Sequence, residues 1–406
     1  MKGLEWMKRM KVLLAVALAC LTTVSCAAAK DNTYIVTQEE YALLQKYKRL
    51  EEIMEAVDRA YLWEYDKGAL LDGAAQGMLG ALGDPYAYYA TPEKMGDEQE
   101  MITGEYVGLG FEVFPNAVDN TITIRRVFHG GPAQKAGILP GDKILSVNGE
   151  EMTAYDLNKA VSIMRGEVGG EVTLVIWRET EAFEVTCVRA VVQTETLECE
   201  LLEKDIGYIR LYQFEGGATQ QFGEAIGSLR EQGARSLVLD LRGNPGGLLN
   251  LAVEIANYFI DDQLVVSTKD KYGRTLSFYA EEGAWEVPVV VLMNQHTASA
   301  SEILAMALKD YDVAKTVGTK SYGKGIAQTM IPFFPDGAGV QFTTDYWLSP
   351  KGECIHEIGV TPDYEVELAE DVMDENFDYI REKDNQLQKA VEIIREMLAG
   401  VDEDAA

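Results

Sequence analysis

The chain has 406 residues, of which 66 are acidic and 36 are basic, so its formal net charge is −30 at pH 7. This charge excludes a protein that binds nucleic acid electrostatically, because contacts with phosphates need a basic surface. The hydrophobic fraction of 47% and the charged fraction of 25% exclude disorder of the whole chain. At roughly 100–200 residues per domain, the length predicts two or three domains.

Cysteine and histidine are scarce, which limits the chemistry available to the chain. Three of the five cysteines, Cys187, Cys199 and Cys354, lie outside the N-terminal stretch and show no Cys-x-x-Cys or Cys/His spacing. We therefore expect neither a disulfide framework nor a metal site, and no cofactor is indicated. With only three histidines in the chain, few side chains could serve as a general base.

The first 29 residues have the pattern of an export signal or a membrane anchor. Four basic residues between positions 2 and 11 precede an apolar run over 12–24, and small residues follow over 25–29. This order is typical of a secretory signal peptide. The alternatives are an uncleaved membrane anchor and a lipid attached at Cys26. In each case we expect the remainder to work outside the cytoplasm, whether secreted, periplasmic or attached to the cell envelope.

Residues 30–104 are predicted as a helical N-terminal region. Apolar side chains between Leu43 and Tyr61 recur at steps of three and four residues, the period of a helix with one apolar face. A second helix over about 70–82 ends at Gly83-Asp84-Pro85, which is a stop signal. We interpret both as packing helices, with a homodimer contact as the alternative.

Residues 105–191 are predicted as a small domain of short strands. The runs over 121–124 and 172–176 alternate and are rich in β-branched residues, as strands are. Asn148-Gly149 is a hairpin signal, and a short helix bounded by glycines is predicted over 131–137.

Residues 192–368 are predicted as a core in which strands and helices alternate. The predicted strands cover 207–212, 236–240 and 288–293, and the predicted helices cover 219–232, 248–259 and 299–309. Such alternation is typical of βα layers around a mostly parallel sheet. Residues 369–406 are predicted as an acidic helix over 377–400, packed on the core, and a short charged tail.

A serine at the start of a predicted helix is the first candidate for chemistry. Ser299 lies in Thr297-Ala-Ser-Ala-Ser-Glu302, directly after a predicted buried strand. Backbone N–H groups in the first turn of a helix lack partners and can hold a developing anion. Helix capping by Thr297 or Ser299 is the alternative. Glu302 is interpreted as a residue that interacts favourably with the helix dipole.

Two glycine-rich segments supply further candidates. In Gly323-Lys-Gly325, the amine of Lys324 could approach another backbone segment, and burial would favour its neutral form, which can act as a base. A surface turn with a solvated lysine is the alternative. Residues 240–247 lead from a strand into a glycine-rich turn whose N–H groups could hold an oxyanion, or which could simply be a tight turn.

Together and in this order, the segments resemble the C-terminal processing peptidases, also called tail-specific serine proteases. The resemblance runs from about Ile53 to the C-terminus, and its main motifs lie at 82–86, 108–111, 240–247, 298–303 and 323–325. It implies an α+β multidomain fold with a helical N-terminal region, a β-barrel-like PDZ domain and a crotonase-like α/β serine peptidase core. It implies no metal or cofactor.

The resemblance assigns roles to residues at the matching positions. It implies that Ser299 is the nucleophile, that Lys324 is the general base and that Gln328 orients the Lys324 amine. It further implies an oxyanion hole made by the backbone N–H of Ala300 and that of either Gly246 or Gly247. A weak serine nucleophile does need a base beside it, and such donors stabilise the tetrahedral anion.

The resemblance also implies how substrates are chosen. The loop of Gly108, Leu109, Gly110 and Phe111 would bind the terminal carboxylate of a peptide added to a sheet edge. Arg165 is a candidate for coupling this event to the active site, although it could merely pack within the PDZ domain. The expected partners are proteins or peptides with exposed apolar C-termini.

Other interpretations are weaker. His296 precedes Ser299 by three residues, but a serine–histidine pair is not needed when Lys324 can be the base, so His296 is expected to line the site. A catalytically silent, secreted PDZ scaffold and a crotonase-type acyl hydratase are the other classes. The complete set of Ser299, Lys324 and Gln328 argues against the scaffold, and no thioester-binding pattern supports the hydratase. We predict an exported serine endopeptidase that works through an acyl-enzyme.

Overall fold

The computed structural model describes residues 37–332, 335–374 and 378–404. The predicted export signal and Cys26 therefore lie outside the described residues. The chain divides into two compact units, residues 1–70 and 71–406. In the part of the chain that the structure describes, no helix is both long and apolar enough to cross a membrane.

The described part of the first unit contains helix α1 (Gln38–Ala60) and the start of α2 (Lys67–Gly80). A capping box begins α1: the Glu40 N–H donates to the Thr37 hydroxyl, and the Thr37 N–H donates to the Glu40 carboxylate. No residue of α1 is buried, and apolar side chains such as Leu44 are exposed. The apolar face that the sequence predicts is therefore present but uncovered.

Two short elements follow α2 in the second unit, strand β1 (Tyr88–Ala90) and helix α3 (Pro92–Thr103). The Thr91 hydroxyl accepts the Lys94 N–H and so caps α3, whereas Gly104 ends the helix with a φ of 70°. The region predicted as helical thus also contains a strand. At three residues, β1 is too short for its pattern to be read from the sequence.

Residues 105–193 form a small β-domain. Its elements are β2 (Glu105–Gly108), β3 (Phe111–Asn116), β4 (Thr121–Val127), α4 (Pro132–Lys135), β5 (Lys143–Val147), β6 (Glu150–Glu151), α5 (Leu157–Met164), β7 (Glu171–Arg178), β8 (Glu181–Val188) and β9 (Ala190–Gln193). The main sheet has the order β3-β4-β5-β7-β8, with β6 on β5, while β2 pairs with β9. Alternate residues such as Ile122 and Ile124 on β4 point into the core and are fully buried. The predicted strands at 121–124 and 172–176 and the hairpin at Asn148-Gly149 are confirmed.

The remaining elements build the core. They are β10 (Leu197–Glu203), β11 (Ile206–Leu211), α6 (Ala218–Glu231), β12 (Ser236–Asp240), α7 (Leu249–Ala256), β13 (Leu264–Asp270), β14 (Thr275–Tyr279), β15 (Val289–Met293), α8 (Ala300–Asp310), β16 (Ala314–Gly318), β17 (Ile326–Pro332), β18 (Gly339–Leu348), β19 (Tyr364–Glu365) and α9 (Asn385–Asp404). Each of the three predicted core strands is found to within one residue.

A six-stranded sheet forms the centre of the core, in the order β10-β11-β12-β15-β16-β19. All neighbours are parallel except β10 and β11. Residues on one face, such as Leu237, pack with α6, α7 and α8, whereas Val238 and Val290 on the other face pack with α9. Because helices cover both faces, every residue of β12 and β15 is buried. The mostly parallel sheet is thus confirmed.

A second, antiparallel sheet was not predicted. It has the order β1-β18-β13-β14, with β17 also paired to β18. In the β1–β18 pair, Tyr88 lies opposite Gln341. A strand from before the small β-domain is therefore built into the sheet that follows that domain, and this pairing fixes the turn that precedes β1.

Arg242 is a fully buried cation that links the core to α9. Its guanidinium donates to Asp240 at 2.6 Å, to Asp384 at 2.7 Å and to Gln386 at 3.1 Å. Burial would raise the pKa of Asp240, but the Arg242 charge lowers it below its usual range. Asp384 also accepts the Leu387 N–H, which caps α9. The predicted start of this helix at 377 is wrong for that reason.

Replacing Arg242 by alanine is expected to lower the free energy of unfolding by about 3–5 kcal/mol, because two buried carboxylates lose their partner. Arg274→Ala is the matched control, since the Arg274–Asp270 pair is exposed on its arginine side and should contribute at most about 1 kcal/mol. Urea unfolding of both variants measures the difference. The Asp240 contribution should be complete above about pH 5 and decline as the pH falls toward its lowered pKa. Equal losses in the two variants would contradict a stabilising network.

Candidate active site

Ser299 stands at a sharp turn between buried strand β15 and helix α8. Its φ of 55° and ψ of −118° are rare for a residue with a side chain and therefore strained. The turn is held by Thr297, whose hydroxyl donates to the Leu241 carbonyl at 2.8 Å and accepts the Asn294 N–H at 2.9 Å. Strain of this kind occurs where a side chain must be presented in one direction, as a nucleophile must be.

The glycine-rich turn over 240–247 is bonded to the serine turn. The Asn244 carbonyl accepts the Ala298 N–H at 3.0 Å and the Ser301 hydroxyl at 3.2 Å. A Cβ on Gly246 would lie 2.7 Å from the Ala298 oxygen and 2.8 Å from the Ser299 Cβ. Only glycine therefore allows this turn to lie so close to Ser299.

Lys324 lies in the segment between β16 and β17, next to the serine turn. Its side chain is partly buried, and the Nζ atom is 4.3 Å from the centre of the Tyr86 ring. Burial lowers the pKa of Lys324, although the carboxylates of Asp84 and Glu302 oppose this effect. Lys324 is flanked by glycines that pack tightly, since a Cβ on Gly325 would lie 2.4 Å from the backbone nitrogen of His356. The structure thus has a packed loop here, and the alternative of a surface turn with a solvated lysine is not what it shows.

Glu302 joins the serine segment to the lysine segment. This fully buried carboxylate accepts the Ser299 N–H at 2.9 Å, the Gly323 N–H at 2.7 Å and the Lys324 N–H at 2.8 Å, and it also accepts the Ser321 hydroxyl. Glu302 does lie in the first turn of α8, as its interpretation as a helix-dipole residue requires, but that interpretation omits these further bonds. The Ser-x-x-Glu spacing of a capping box was the available signal, but the bonds to residues 321–324 cannot be read from local sequence.

A single cavity of about 1180 Å³ connects this site with the small β-domain. The core side is lined by Lys324, His296 and Tyr322 among others, and the β-domain side by residues 108–113 together with Val161, Met164 and Arg165. Strand β3 is the edge of its sheet at this cavity. Within the described residues no other strand pairs with its outer edge, and an extended peptide can bind by adding to such an edge.

Comparison with known proteins identifies the family. A model described as peptidase family S41 matches residues 205–366, a PDZ domain model matches 123–178, and a model described as the activating protease CtpB N-terminal domain matches 14–107. A carboxyl-terminal-processing protease from Synechocystis is 35% identical over 349 residues, which is 82% of this chain and 82% of that protein. The chain belongs to the C-terminal processing peptidases.

Other relatives agree with this membership. A Staphylococcus saprophyticus protein described as a CtpA-like serine protease is 36% identical over 324 residues, which is 79% of this chain and 65% of that protein. A solved Bacteroides fragilis structure described as an S41 protease has a TM-score of 0.54 and 18% identity, covering 79% of this chain and 90% of that one. The latter likeness concerns the fold alone. The C-terminal processing peptidase described here is accordingly a serine-type protease with a PDZ domain and protein or peptide substrates.

The backbone donors of this peptidase differ in their availability. The Gly246 N–H already donates to the Asn244 side chain at 2.9 Å. Among the residues that the structure describes, the N–H groups of Gly247 and Ala300 have no acceptor. The sequence did not decide between the N–H groups of Gly246 and Gly247. Of these two, only that of Gly247 is free to bind another acceptor.

The other predicted residues of the peptidase lie near the site but make different contacts. The Gln328 amide donates to the Thr343 hydroxyl at 3.1 Å, and no hydrogen bond joins it to Lys324 within the described chain. His296 is exposed on the cavity wall. Arg165 lies between the small β-domain and α3, where it pairs with Asp97 at 2.9 Å and Glu100 at 2.8 Å. Gln328 and Arg165 keep their roles as predictions.

Proposed function

We propose that this chain is an exported endopeptidase that binds the C-termini of proteins in its PDZ domain and cuts them with Ser299 and Lys324 through an acyl-enzyme. The observation that carries the proposal is the buried Glu302 carboxylate, which holds the Ser299 N–H and the Lys324 N–H at once. A serine and a lysine from distant segments are thereby fixed to a common group. Such an arrangement favours a working pair over a chance juxtaposition.

In the proposed reaction the Ser299 hydroxyl attacks the peptide carbonyl and passes its proton to the Lys324 amine. Burial lowers the pKa of Lys324, which favours the neutral amine that this step requires. The negative carbonyl oxygen would accept hydrogen bonds from the Ala300 and Gly247 N–H groups. Collapse breaks the C–N bond, and the leaving amine takes the proton from Lys324. Water then cleaves the Ser299 ester with Lys324 again as the base, which restores the hydroxyl.

Substrate selection is proposed to begin at residues 108–111. The Phe128 N–H donates to the Gly110 carbonyl, so Phe111 and the opposite Val127 form a pair that is not hydrogen-bonded, and the Phe111 N–H points away from β4. That N–H and the Gly110 N–H already donate to the Tyr106 hydroxyl, so a peptide strand lying along β3 would replace Tyr106 as their acceptor. Apolar residues Val161 and Met164 line the same cavity, which favours an apolar C-terminus.

Two further parts of the proposal concern location and assembly. The charged and apolar pattern of the first 29 residues supports export, by a cleaved signal, a lipid at Cys26 or a retained anchor. The uncovered apolar side chains of α1, such as Leu44, support a homodimer contact.

The test uses a loosely folded protein with an apolar C-terminus and the same protein carrying a C-terminal amide, each incubated with the purified chain in the presence of a chelator. We expect the free carboxylate form to be cut at least about tenfold faster, because the amide cannot accept the charge-assisted bonds of the loop. A fluorophosphonate should attach to Ser299, located by mass spectrometry. Peptide binding without cleavage or labelling would instead support the silent scaffold.

A further inference from the structure

The turn Asp84-Pro85-Tyr86 precedes the small β-domain in the chain but lies beside the proposed base. The ring of Tyr86 faces the Lys324 amine, with 4.3 Å from Nζ to the ring centre. This separation is well within the range in which an ammonium is attracted to an aromatic face. No step of the proposed reaction uses either Asp84 or Tyr86.

The turn is held rigidly against β18. The Asp84 carboxylate accepts the Tyr86 N–H and the Thr343 N–H, each at 2.9 Å. The Thr343 hydroxyl in turn accepts the amide of Gln328 at 3.1 Å. Gln328, the residue predicted to orient Lys324, is therefore linked through one threonine to the carboxylate of the turn.

The surroundings of the Lys324 amine have opposing effects on its pKa. The titratable groups that act on it are Asp84 and Tyr86 from the turn and Glu302 from α8, while Tyr322 and His296 line the same cavity. Burial lowers the pKa of Lys324, whereas the two carboxylates raise it. Burial, assisted by the neighbouring Tyr322 hydroxyl, raises the pKa of Tyr86 to about 12, so its phenol stays neutral at working pH. Asp84 and the ring face thus both favour the ammonium form of Lys324.

We propose that Asp84 and Tyr86 are positioning residues for Lys324, with the ring of Tyr86 carrying the ammonium group and Asp84 fixing the turn and supplying the balancing charge. This inference rests on the proposed role of Lys324 as the base. The pair fixes the position of the amine and sets the pH at which the neutral form becomes available. A segment encoded before the PDZ domain is thereby part of the machinery that controls the base.

The test compares Asp84→Asn, Tyr86→Leu and Tyr86→Phe. Each of the first two changes removes a group that favours the ammonium, so the acidic limb of the pH profile of kcat/KM should move to lower pH, by about one pH unit for Asp84→Asn. Tyr86→Leu should also reduce kcat about tenfold with little change in KM, because the amine loses its support. Tyr86→Phe keeps the ring and should retain the wild-type limb. Asp312→Asn, which removes an exposed acidic charge, is the control for net charge.

A second measurement needs no turnover. NMR titration of the Lys324 side chain in lysine-labelled protein should give a lower midpoint for Asp84→Asn and Tyr86→Leu, and an unchanged one for Tyr86→Phe and Asp312→Asn. An unchanged midpoint in the first two, in variants that unfold at the wild-type temperature, overturns the inference even if the enzyme cuts its substrate. A wild-type protein that never cuts contradicts the proposed function, while the titration still decides the positioning role.

Discussion

Replacing Ser299 by alanine is expected to lower kcat/KM by roughly 10³-fold or more, while the free energy of unfolding stays close to that of the wild type. Alanine removes the hydroxyl but keeps the Cβ and the strained backbone at φ 55°. Ser299→Gly should be equally inactive, yet it should unfold with a free energy about 1 kcal/mol higher, because glycine adopts positive φ without strain. Cleavage kinetics and urea unfolding, measured on both variants, separate the loss of the nucleophile from a loss of fold.

The same experiment extends to the base. Lys324→Ala should be about as inactive as Ser299→Ala, and the double variant no worse than either, because the two side chains act in one step. Lys324→Arg keeps the charge but cannot be deprotonated, so it should also be inactive. Wild-type cleavage by Lys324→Ala would refute its assignment as the base and direct attention to His296.

Glu302→Ala is expected to have the second largest effect, because it acts on activity and stability together. Four donors that now end on one buried carboxylate would lose their acceptor, at about 1–3 kcal/mol for each one left unsatisfied. We expect the free energy of unfolding to fall by at least about 3 kcal/mol and kcat/KM to fall about 10²-fold or more in the molecules that stay folded. Equilibrium unfolding and initial rates at low temperature measure the two losses separately.

Two milder substitutions test whether the losses in Glu302→Ala arise from the missing carboxylate. Ser321→Ala removes only one of the four donors and should retain most of the activity. Glu302→Gln keeps the size, but its NH₂ group would face backbone N–H groups that are themselves donors, so it should resemble Glu302→Ala rather than the wild type. Full activity of Glu302→Gln would show that the serine and lysine segments do not depend on this carboxylate.

The sequence predicted those parts of the fold whose signal is local. Strand β15 is an unbroken apolar run, and Asn148-Gly149 has the residues that a tight hairpin requires, so both were found. The antiparallel sheet was missed because its strands are recognised by their partners rather than by their own pattern. The pairing of β1 with β18 joins residues about 250 positions apart in the chain, and no local period indicates it.

The same distinction between local and long-range signals applies to the residues of the site. Ser299 and Lys324 stand in short motifs that the resemblance could assign, and the structure brings their segments together. The bonds of Glu302 to residues 321–324 and the position of Tyr86 beneath Lys324 depend on how distant segments pack. The bond between the Gly246 N–H and the Asn244 side chain, on which the proposal of Gly247 rests, is likewise a contact that only coordinates can supply.

The pairing of β1 with β18 also bears on the order in which the protein can be assembled. A chain made from its N-terminus has Tyr88 early, but its partner Gln341 only after the small β-domain and most of the core have been synthesised. The partner of Arg242, Asp384, is likewise synthesised long after Arg242 itself. Contacts between such distant positions cannot form before both partners are present, and they slow folding. We therefore expect the turn before β1 and the buried Arg242 network to be assembled only when synthesis of the chain is almost complete.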